Sequence, residues 1–313
     1  MQKITPMFWF DSNAEEAVKF YTSLFPNSKV NLTTHYTDAF VEVTGKPAGS
    51  VMTIDFLLNG QQFTALNGGP DFKFTPAVSM FVQVNTIEEG DAIWNKLAEG
   101  GFVMMEYQEY PFVKKYGWFN DKFGMSWQVI VCGVPLHISQ SLMFVGKEAG
   151  KAEEAINYYV DLFKNAPGEA WKNSKVEDLA RYEEGEGDTV GYIKHGAFVL
   201  AGETFKAMGS SYDHQFGFSQ ATSFVINCDN QDEIDYFYDT LAIGGQEQPC
   251  GWVLDKYNVA WQVTPAQWAD WMCGPNGEKA AKAMFTMKKL DYDVLEKAAK
   301  QGEFGCYFLR ILF

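Results

Sequence analysis

The chain carries one motif twice. Tyr116 to Val129 reads YGWFNDKFGMSWQV and Cys250 to Val263 reads CGWVLDKYNVAWQV, matching without a gap at Gly117/Gly251, Trp118/Trp252, Asp121/Asp255, Lys122/Lys256, Trp127/Trp261, Gln128/Gln262 and Val129/Val263. Paired tryptophans make chance a poor explanation. Outward from this anchor, AEEA recurs at 14–17 and 152–155, NSKV at 27–30 and 173–176, and Gly-Gly at 100–101 and 244–245. Such self-similarity implies two homologous halves, placed here at 1–133 and 134–300, the second with a C-terminal helical extension.

Each half is long enough to bury its own core, and 47% hydrophobic residues supply the material for it. A formal charge of −15 opposes nucleic acid as a partner, because phosphate binding needs clustered Lys and Arg. No apolar run reaches the roughly 18–20 residues that span a bilayer, so no membrane partner is expected. The amino terminus enters a strand pattern at once, without the features of an export signal. Five cysteines, at 132, 228, 250, 273 and 306, form no CxxC pair, which suits a cytoplasmic protein.

Within the first half, the apolar run Ile4 to Phe10 precedes a helix whose Ala14, Ala17, Val18, Tyr21 and Leu24 share one face. Strands follow at 29–36, 50–58 and 62–66, the last two joined by the Asn59-Gly60 turn. The order is βαβββ, and it restarts at Ala77 with a helix over IEEGDAIWNKLAEGG and strands near 102–109, 113–119 and 125–131. The second half repeats the plan, with strands at 139–145, 175–182, 190–200, 204–208, 222–228, near 250 and 259–264, and helices at 151–163 and 231–241. The fold expected is α+β, four βαβββ modules in two halves. Beyond Pro265, three helical stretches read as a packing appendage, and the unpatterned 301–313 tail is set aside as non-native.

The segments FDSNAEEAVKFYTSLFPNSKV, TALNGGPDFKFTPAVSMFV and GWFNDKFGMSWQV resemble the PhnB-like branch of the vicinal oxygen chelate superfamily. This branch often carries the name 3-demethylubiquinone-9 3-methyltransferase. The resemblance implies that each half is a glyoxalase/bleomycin-resistance-like pair of curled mixed sheets, with cavities for a small molecule. Relatives are usually single two-module chains that dimerise, so the duplication reads as a pseudo-dimeric monomer, with higher homo-oligomers open. Cavities within each half and cavities between halves both fit this description.

Strand alternation nominates cavity walls. Thr5, Met7 and Trp9 share the mixed face of the first strand; Ser79, Phe81 and Gln83 share one face of the fifth; Gln128 lies on the last strand of the half, and Trp118 is placed to stack on a flat ligand. The second half contributes Ser139, Ser223, Asn227, Trp252 and Gln262, and Thr53 aligns with His195. His195 is a candidate general base for one cavity and Asp55 a candidate acid or base for the other. Against the glyoxalase-like pattern, Thr5, Thr64, Ser79 and Gln128, then Ser139, Lys206, Ser223 and Gln262, fall where His/Glu metal ligands are implied. Hydroxyls and amides bind such metals weakly, so no cofactor is expected and a divalent metal is disfavoured.

Three functions compete. A binding protein for a small, aromatic or amphipathic molecule suits hydroxyl, amide and aromatic walls. A metal-dependent glyoxalase- or dioxygenase-like enzyme is the alternative. Methyl transfer is disfavoured, because the chain has no parallel α/β unit with a Gly-rich strand-to-helix turn for adenosylmethionine.

Overall fold

The computed structural model describes residues 2–300; the 301–313 tail lies outside the described residues. The first module runs β1 (Ile4–Phe10), α1 (Ala14–Leu24), β2 (Lys29–His35), α2 (Asp38–Thr44), β3 (Val51–Leu58) and β4 (Gln61–Asn67). The second comprises β5 (Val78–Val84), α3 (Ile87–Leu97), β6 (Phe102–Tyr110), β7 (Val113–Asn120) and β8 (Ser126–Val131). The third holds β9 (His137–Phe144), α4 (Ala152–Asn165), β10 (Lys175–Arg181), β11 (Ile193–Leu200) and β12 (Glu203–Gly209). The fourth holds β13 (Thr222–Cys228), α5 (Gln231–Ala242), β14 (Gln246–Glu247), β15 (Trp252–Leu254) and β16 (Ala260–Pro265), after which α6 (Trp268–Cys273), α7 (Gly277–Phe285) and α8 (Tyr292–Lys300) close the described chain. The elements beyond the sequence reading are α2, which fills the connection between β2 and β3, the two-residue β14, and two single-turn 3-10 helices at Gly146–Glu148 and Glu169–Trp171.

Local chemistry fixes the boundaries. Asn59 and Gly60, at φ 50° and 82°, make the tight left-handed turn that joins β3 to β4. Helix α3 starts on a capping box, the Thr86 side chain accepting from the Glu89 N–H while the Glu89 side chain reaches back to the Thr86 backbone. Helix α2 ends at Gly45, whose φ of 68° supplies the left-handed cap and whose N–H returns to the Val41 carbonyl.

The strands form two eight-stranded sheets. Sheet A has the order β14-β15-β16-β13-β1-β4-β3-β2, and sheet B the order β10-β11-β12-β9-β5-β8-β7-β6. Each sheet therefore takes one module from each half: the first and fourth modules share sheet A, the second and third share sheet B. The central pairs are β1 with β13, antiparallel with Thr5 opposite Val225 and Met7 opposite Ser223, and β5 with β9, antiparallel with Phe81 opposite Ser139 and Ser79 opposite Ser141. The two registers are equivalent under the sequence repeat, as a pseudo-two-fold relation between halves requires.

The repeated motif holds each half together. Asp121, fully surrounded by protein, accepts at Oδ1 from the backbone N–H groups of Phe123 (2.8 Å) and Met125 (3.0 Å). At Oδ2 it accepts from Tyr21 Oη (2.6 Å) on α1 and Trp127 Nε1 (2.9 Å) on β8. Asp255 repeats the set with Tyr257 and Val259 N–H, Tyr159 Oη (2.7 Å) on α4 and Trp261 Nε1 (2.9 Å) on β16. The Oδ1 bonds close the turn that follows each aspartate, and the Oδ2 bonds tie the first helix of a half to the last strand of the same half. Helix face and strand meet in one core that includes Val18, Tyr21, Trp127, Tyr159 and Trp261.

At the hairpin tips the equivalent residues Gln61 and Glu203 meet, Gln61 Nε2 donating to Glu203 Oε2 at 3.2 Å. Burial pushes the Glu203 carboxyl up to about 7, the Gln61 bond opposing the rise. The folded value lies above the unfolded value of 4.5, so the associated stability is complete below that pH and is lost as pH rises through about 7. Glu203→Gln is expected to remove this loss: urea titrations at pH 5 and 8 give the wild type a decline on the order of 1–2 kcal/mol that the variant lacks. Asp255→Asn places an amide N–H₂ against a donor set, and the expected cost is about 1–3 kcal/mol in the same assay.

Candidate functional site

The concave face of sheet A holds a cavity of about 390 Å³ that opens between the two halves. From β1 come Thr5, Met7 and Trp9, from β3 Thr53 and Asp55, from β4 Thr64 and Leu66, and from the fourth module Val225, Asn227, Cys250, Trp252 and Gln262. Period-two alternation puts these residues on one side of the pleat while Phe8, Ile54, Phe56 and Phe63 face the core. The roof comes from α2, with Phe40, and from α6 and α7, with Trp268, Met272, Met284 and Phe285. Phe40 and Phe285 meet edge-to-face with ring centroids 5.1 Å apart, which joins the two parts of the roof.

Three polar groups are fixed in the walls. Asp55 Oδ1 accepts from Thr64 Oγ1 at 2.6 Å, and burial raises the carboxyl above its ordinary range while that bond lowers it. Asn227 Nδ2 donates to Thr5 Oγ1 (3.1 Å) and to the Gln2 carbonyl (2.9 Å). Gln262 Nε2 donates to Ser223 Oγ at 2.9 Å and touches Met7 Sδ at 3.1 Å. The Thr34 and Thr53 hydroxyls pair at 2.6 Å.

Two indoles form the aromatic part of the wall. Trp9 and Trp252 meet edge-to-face at 6.0 Å, and Trp9 Nε1 donates to the Gly69 carbonyl at 2.8 Å. The ring of Trp9 lies so close over Gly68 that a β-carbon there would come within 2.1 Å of it. Gly68 is thus the residue that lets the indole lie against the backbone.

The matching face of sheet B is filled. Phe81, Tyr116, Trp118, Met143 and Val145 are buried together, with Met104, Met105, Ile130 and Phe216 packed against them. Tyr116 Oη donates to Gln128 Oε1 at 2.7 Å, and Gln128 Nε2 donates to Ser79 Oγ at 2.8 Å. Trp118 Nε1 is bonded to Ser126 Oγ at 2.8 Å, so this indole is part of the packing rather than of an open wall. Ser139 Oγ reaches the Phe81 carbonyl at 3.5 Å, and Gln83 Nε2 reaches Cys132 Sγ at 3.5 Å. The difference between the faces traces to the head of the repeated motif. In sheet B Tyr116 projects a ring onto the amide of Gln128; in sheet A its counterpart is Cys250, which leaves that space open.

Of the candidate site residues, Thr5, Met7, Trp9, Thr53, Asp55, Asn227, Trp252 and Gln262 line the sheet A cavity, and Ser223 lies behind Gln262. Ser79, Phe81, Gln83, Trp118, Gln128, Ser139 and His195 stand on sheet B, so Asp55 and His195 belong to different faces. Sequence reasoning missed the roof: Phe40, Trp268, Met272, Met284 and Phe285 carry no motif, and the short α2 shows no helical period.

The positions at which the fold pattern implies metal ligands carry Thr5, Thr64, Ser223 and Gln262 on sheet A and Ser79, Gln128, Ser139 and Lys206 on sheet B. Their donors are spent on each other, as in the Gln262–Ser223 and Gln128–Ser79 bonds, and Lys206 adds positive charge. Among the described residues no group of three or more His, Cys, Asp or Glu is arranged to hold a metal ion. This donor set does not fit a divalent cation of the Zn, Fe or Ni kind.

The sequence profile of the 3-demethylubiquinone-9 3-methyltransferase family matches residues 2–130 and again 137–264. The chain belongs to this family. A PhnB protein from Bacillus cereus that carries the same methyltransferase name is 41% identical over 42% of this chain and 100% of its own, with a TM-score of 0.39. A Staphylococcus aureus protein is 34% identical over 41% of this chain and 95% of its own, with a TM-score of 0.17. Glyoxalase I from Zea mays, 10% identical, covers 84% of this chain and 92% of its own at a TM-score of 0.52, a likeness of fold. A search of curated proteins gives no match. The likeness to glyoxalase I agrees with the fold that the resemblance to the vicinal oxygen chelate superfamily implies. No helix among the described residues is long and apolar enough to cross a membrane.

The contrast between the faces has a measurable consequence. Tyr116→Phe strands the Gln128 amide oxygen in a closed interior and is expected to cost about 1–2 kcal/mol in urea unfolding, whereas Cys250→Ala, in the open cavity, is expected to cost less than about 1 kcal/mol.

Proposed function

We propose that this family member binds a small, planar, largely apolar molecule in the sheet A cavity, without a metal, and that the Asp55 carboxylate accepts a hydrogen bond from it. The observation that carries this reading is the wall itself: Trp9, Trp252, Phe40 and Phe285 surround a space of about 390 Å³ into which Asp55, Thr53 and Asn227 present polar atoms. Small-molecule sites are concave and mostly apolar, with a few fixed polar groups that orient the ligand, and this volume falls in their usual range. Met272 and Met284 in the roof add side chains that adapt to ligand shape.

Catalysis is the second reading, favoured by one observation. Burial raises the Asp55 carboxyl, and an acid or base shifted toward neutrality suits proton transfer to a bound molecule. Methyl transfer draws no support from the fold. In both sheets the parallel pairs, such as β1 with β4 and β13 with β16, are flanked by antiparallel neighbours, unlike the continuous parallel sheet of an adenosylmethionine site.

A panel of aromatic compounds, screened by thermal shift and followed by calorimetry, tests the proposal. The best compound is expected to bind Trp252→Ala about 10- to 100-fold more weakly than wild type, with the fold intact by circular dichroism. Binding is expected to survive EDTA unchanged. Equal affinity for both proteins removes the sheet A cavity from the account, and loss of binding with EDTA restores a metal. If turnover of the compound is seen, Asp55→Asn separates the readings: activity lost with binding kept assigns proton transfer to Asp55, and activity kept removes it from catalysis.

A further inference from the structure

The two halves treat one connection differently. In the first half the chain between β2 and β3 carries α2; in the second the chain between β10 and β11 is a loop. That loop is fastened. Asp188 accepts from the Ser210 hydroxyl at 2.8 Å, the Ser211 hydroxyl at 2.6 Å and the Ser211 N–H at 3.1 Å, Tyr212 Oη donates to the Gly187 carbonyl, and Lys194 pairs with Glu186. Helix α2 has nothing of the kind. Its backbone bonds return to Thr37 and Val41, the Thr44 hydroxyl returns to the Phe40 carbonyl, and among the described side chains none from Asp38 to Gly45 makes a hydrogen bond or an ion pair outside residues 37–46. The cap position is occupied but unused: the Thr37 hydroxyl does not accept from the helix and lies buried without a partner among the described residues. A seven-residue helix without a side-chain cap is marginal by itself. Apolar packing therefore holds α2 in place, through Ala39 and Phe40 against Met52 of β3 and Ala281 and Phe285 of α7.

The part of the roof that α2 meets is held much more firmly. Helices α6, α7 and α8 share a small core of their own, with Trp271, Ala280, Leu290 and Leu295 buried in it. Polar bonds fix that unit to the second half. The Cys250 N–H donates to the Met287 carbonyl at 2.8 Å and the Gly251 N–H to the Lys288 carbonyl at 2.7 Å, Gln231 on α5 bonds both the Leu290 carbonyl and the Tyr292 N–H, and Lys289 pairs with Asp235 and Asp239. The base of the α2 connection is fixed as well. Tyr36 N–H donates to the Ser50 carbonyl at 2.9 Å, Gly49 N–H to the Tyr36 carbonyl at 2.7 Å, and Tyr36 Oη to the Asn67 carbonyl at 2.7 Å. Between these ties, Thr37 and Gly45, the latter at φ 68°, bound a short piece of chain that carries Phe40 and Thr44 over the cavity. Val43, on the same helix, is 60% exposed and lies outside the cavity wall.

We propose that α2 is the gate of the sheet A cavity: it leaves Phe285 to admit a molecule and returns to lay Phe40 over it, while α6, α7 and α8 stay in place. This inference rests on the reading of that cavity as the ligand site and adds its route of entry. Opening breaks the apolar contacts of Ala39 and Phe40, and among the described residues no hydrogen bond or ion pair crosses the seam between α2 and α7. Segments that move to admit ligands come from the least stable parts of a fold, and an uncapped short helix without polar ties is such a part. Closing sets an element of the first half against one of the second, so a bound molecule completes a contact between the halves. Sheet B, whose face is filled, carries the fastened loop instead.

The test uses the full chain and Val43, an exposed handle on the helix. Glycine is a poorer and alanine a better helix former than valine, so Val43→Gly opens α2 more often and Val43→Ala less often. Hydrogen exchange of the free protein, read by mass spectrometry, is expected to show the α2 amides about tenfold or more less protected than those of α7. Exchange of α2 is expected to be fastest in Val43→Gly and slowest in Val43→Ala, each about two- to fivefold from wild type, with α7 unchanged. Stopped-flow association of 2-naphthol, followed by tryptophan fluorescence, is expected to rank the three proteins in the same order. Equal protection of α2 and α7, or α7 exchange that follows the Val43 variants, overturns the gate whether or not the probe binds. Equal association rates in three proteins whose α2 exchange differs overturn it too. Failure of 2-naphthol to bind wild type, or binding that Trp252→Ala leaves unchanged, counts against the reading of the cavity and not against the gate, which the exchange experiment decides by itself.

Discussion

Two buried carboxylates organise this protein. Asp121 and Asp255 each accept four hydrogen bonds, two from a turn, one from a tyrosine on the first helix of the half and one from a tryptophan on its last strand. A carboxylate removed from water is tolerated only when its lone pairs are occupied, and each of these is saturated by donors at 2.6–3.0 Å. The consequence is a division of labour. The carboxylates bind first module to second and third to fourth, while the sheets bind first module to fourth and second to third. Neither half can separate from the other without breaking a central strand pair, and neither sheet can slip without breaking a carboxylate cluster.

That interlocking explains where the cavities lie. The curved faces are built by strands from different halves, so residues far apart in sequence, such as Trp9 and Trp252, share a wall. It also explains how the faces diverged. Side chains on the convex side are committed to the common core, whereas those on the concave side can change without disturbing it. Tyr116 against Cys250, Thr53 against His195, Asp55 against Ala197 and Thr64 against Lys206 are all differences of this kind. One face has kept an open aromatic cavity under a helical roof; the other is packed on one side and cationic on the other.

Most of this architecture was legible in the sequence, for physical reasons that can be named. The strand and helix periods are strong because each β-strand buries one face and each long helix one stripe, so β1, α1, β5 and α4 fall within a residue or two of their expected bounds at most ends. The alternation that nominated Thr5, Met7 and Trp9 as a wall follows from the same pleat. What the sequence left open was non-local. Periodicity says which face of a strand is buried but not which strand lies beside it, and so it could not choose between sheets within halves and sheets across them. Helix α2, at seven residues, is too short for a period, and its β-branched Val41 and Val43 conceal it, although Thr37 before it and Gly45 after it are cap residues. The C-terminal helices were read correctly as amphipathic, but the surface they cover is set by the cross-half pairing of sheet A. The tryptophans at 118 and 252 were indistinguishable by motif; only their neighbours, Ser126 and an open cavity, separate a packed ring from an exposed wall.

The central claim is that ligand binding uses a cavity shared by the two halves on sheet A. Its most direct test is a crystal structure of the protein with the aromatic compound that raises its melting temperature most. The account predicts electron density between Trp9 and Trp252, beneath Phe285 and within hydrogen-bonding distance of Asp55. Density confined to any other surface, with the sheet A cavity holding only solvent, would contradict it.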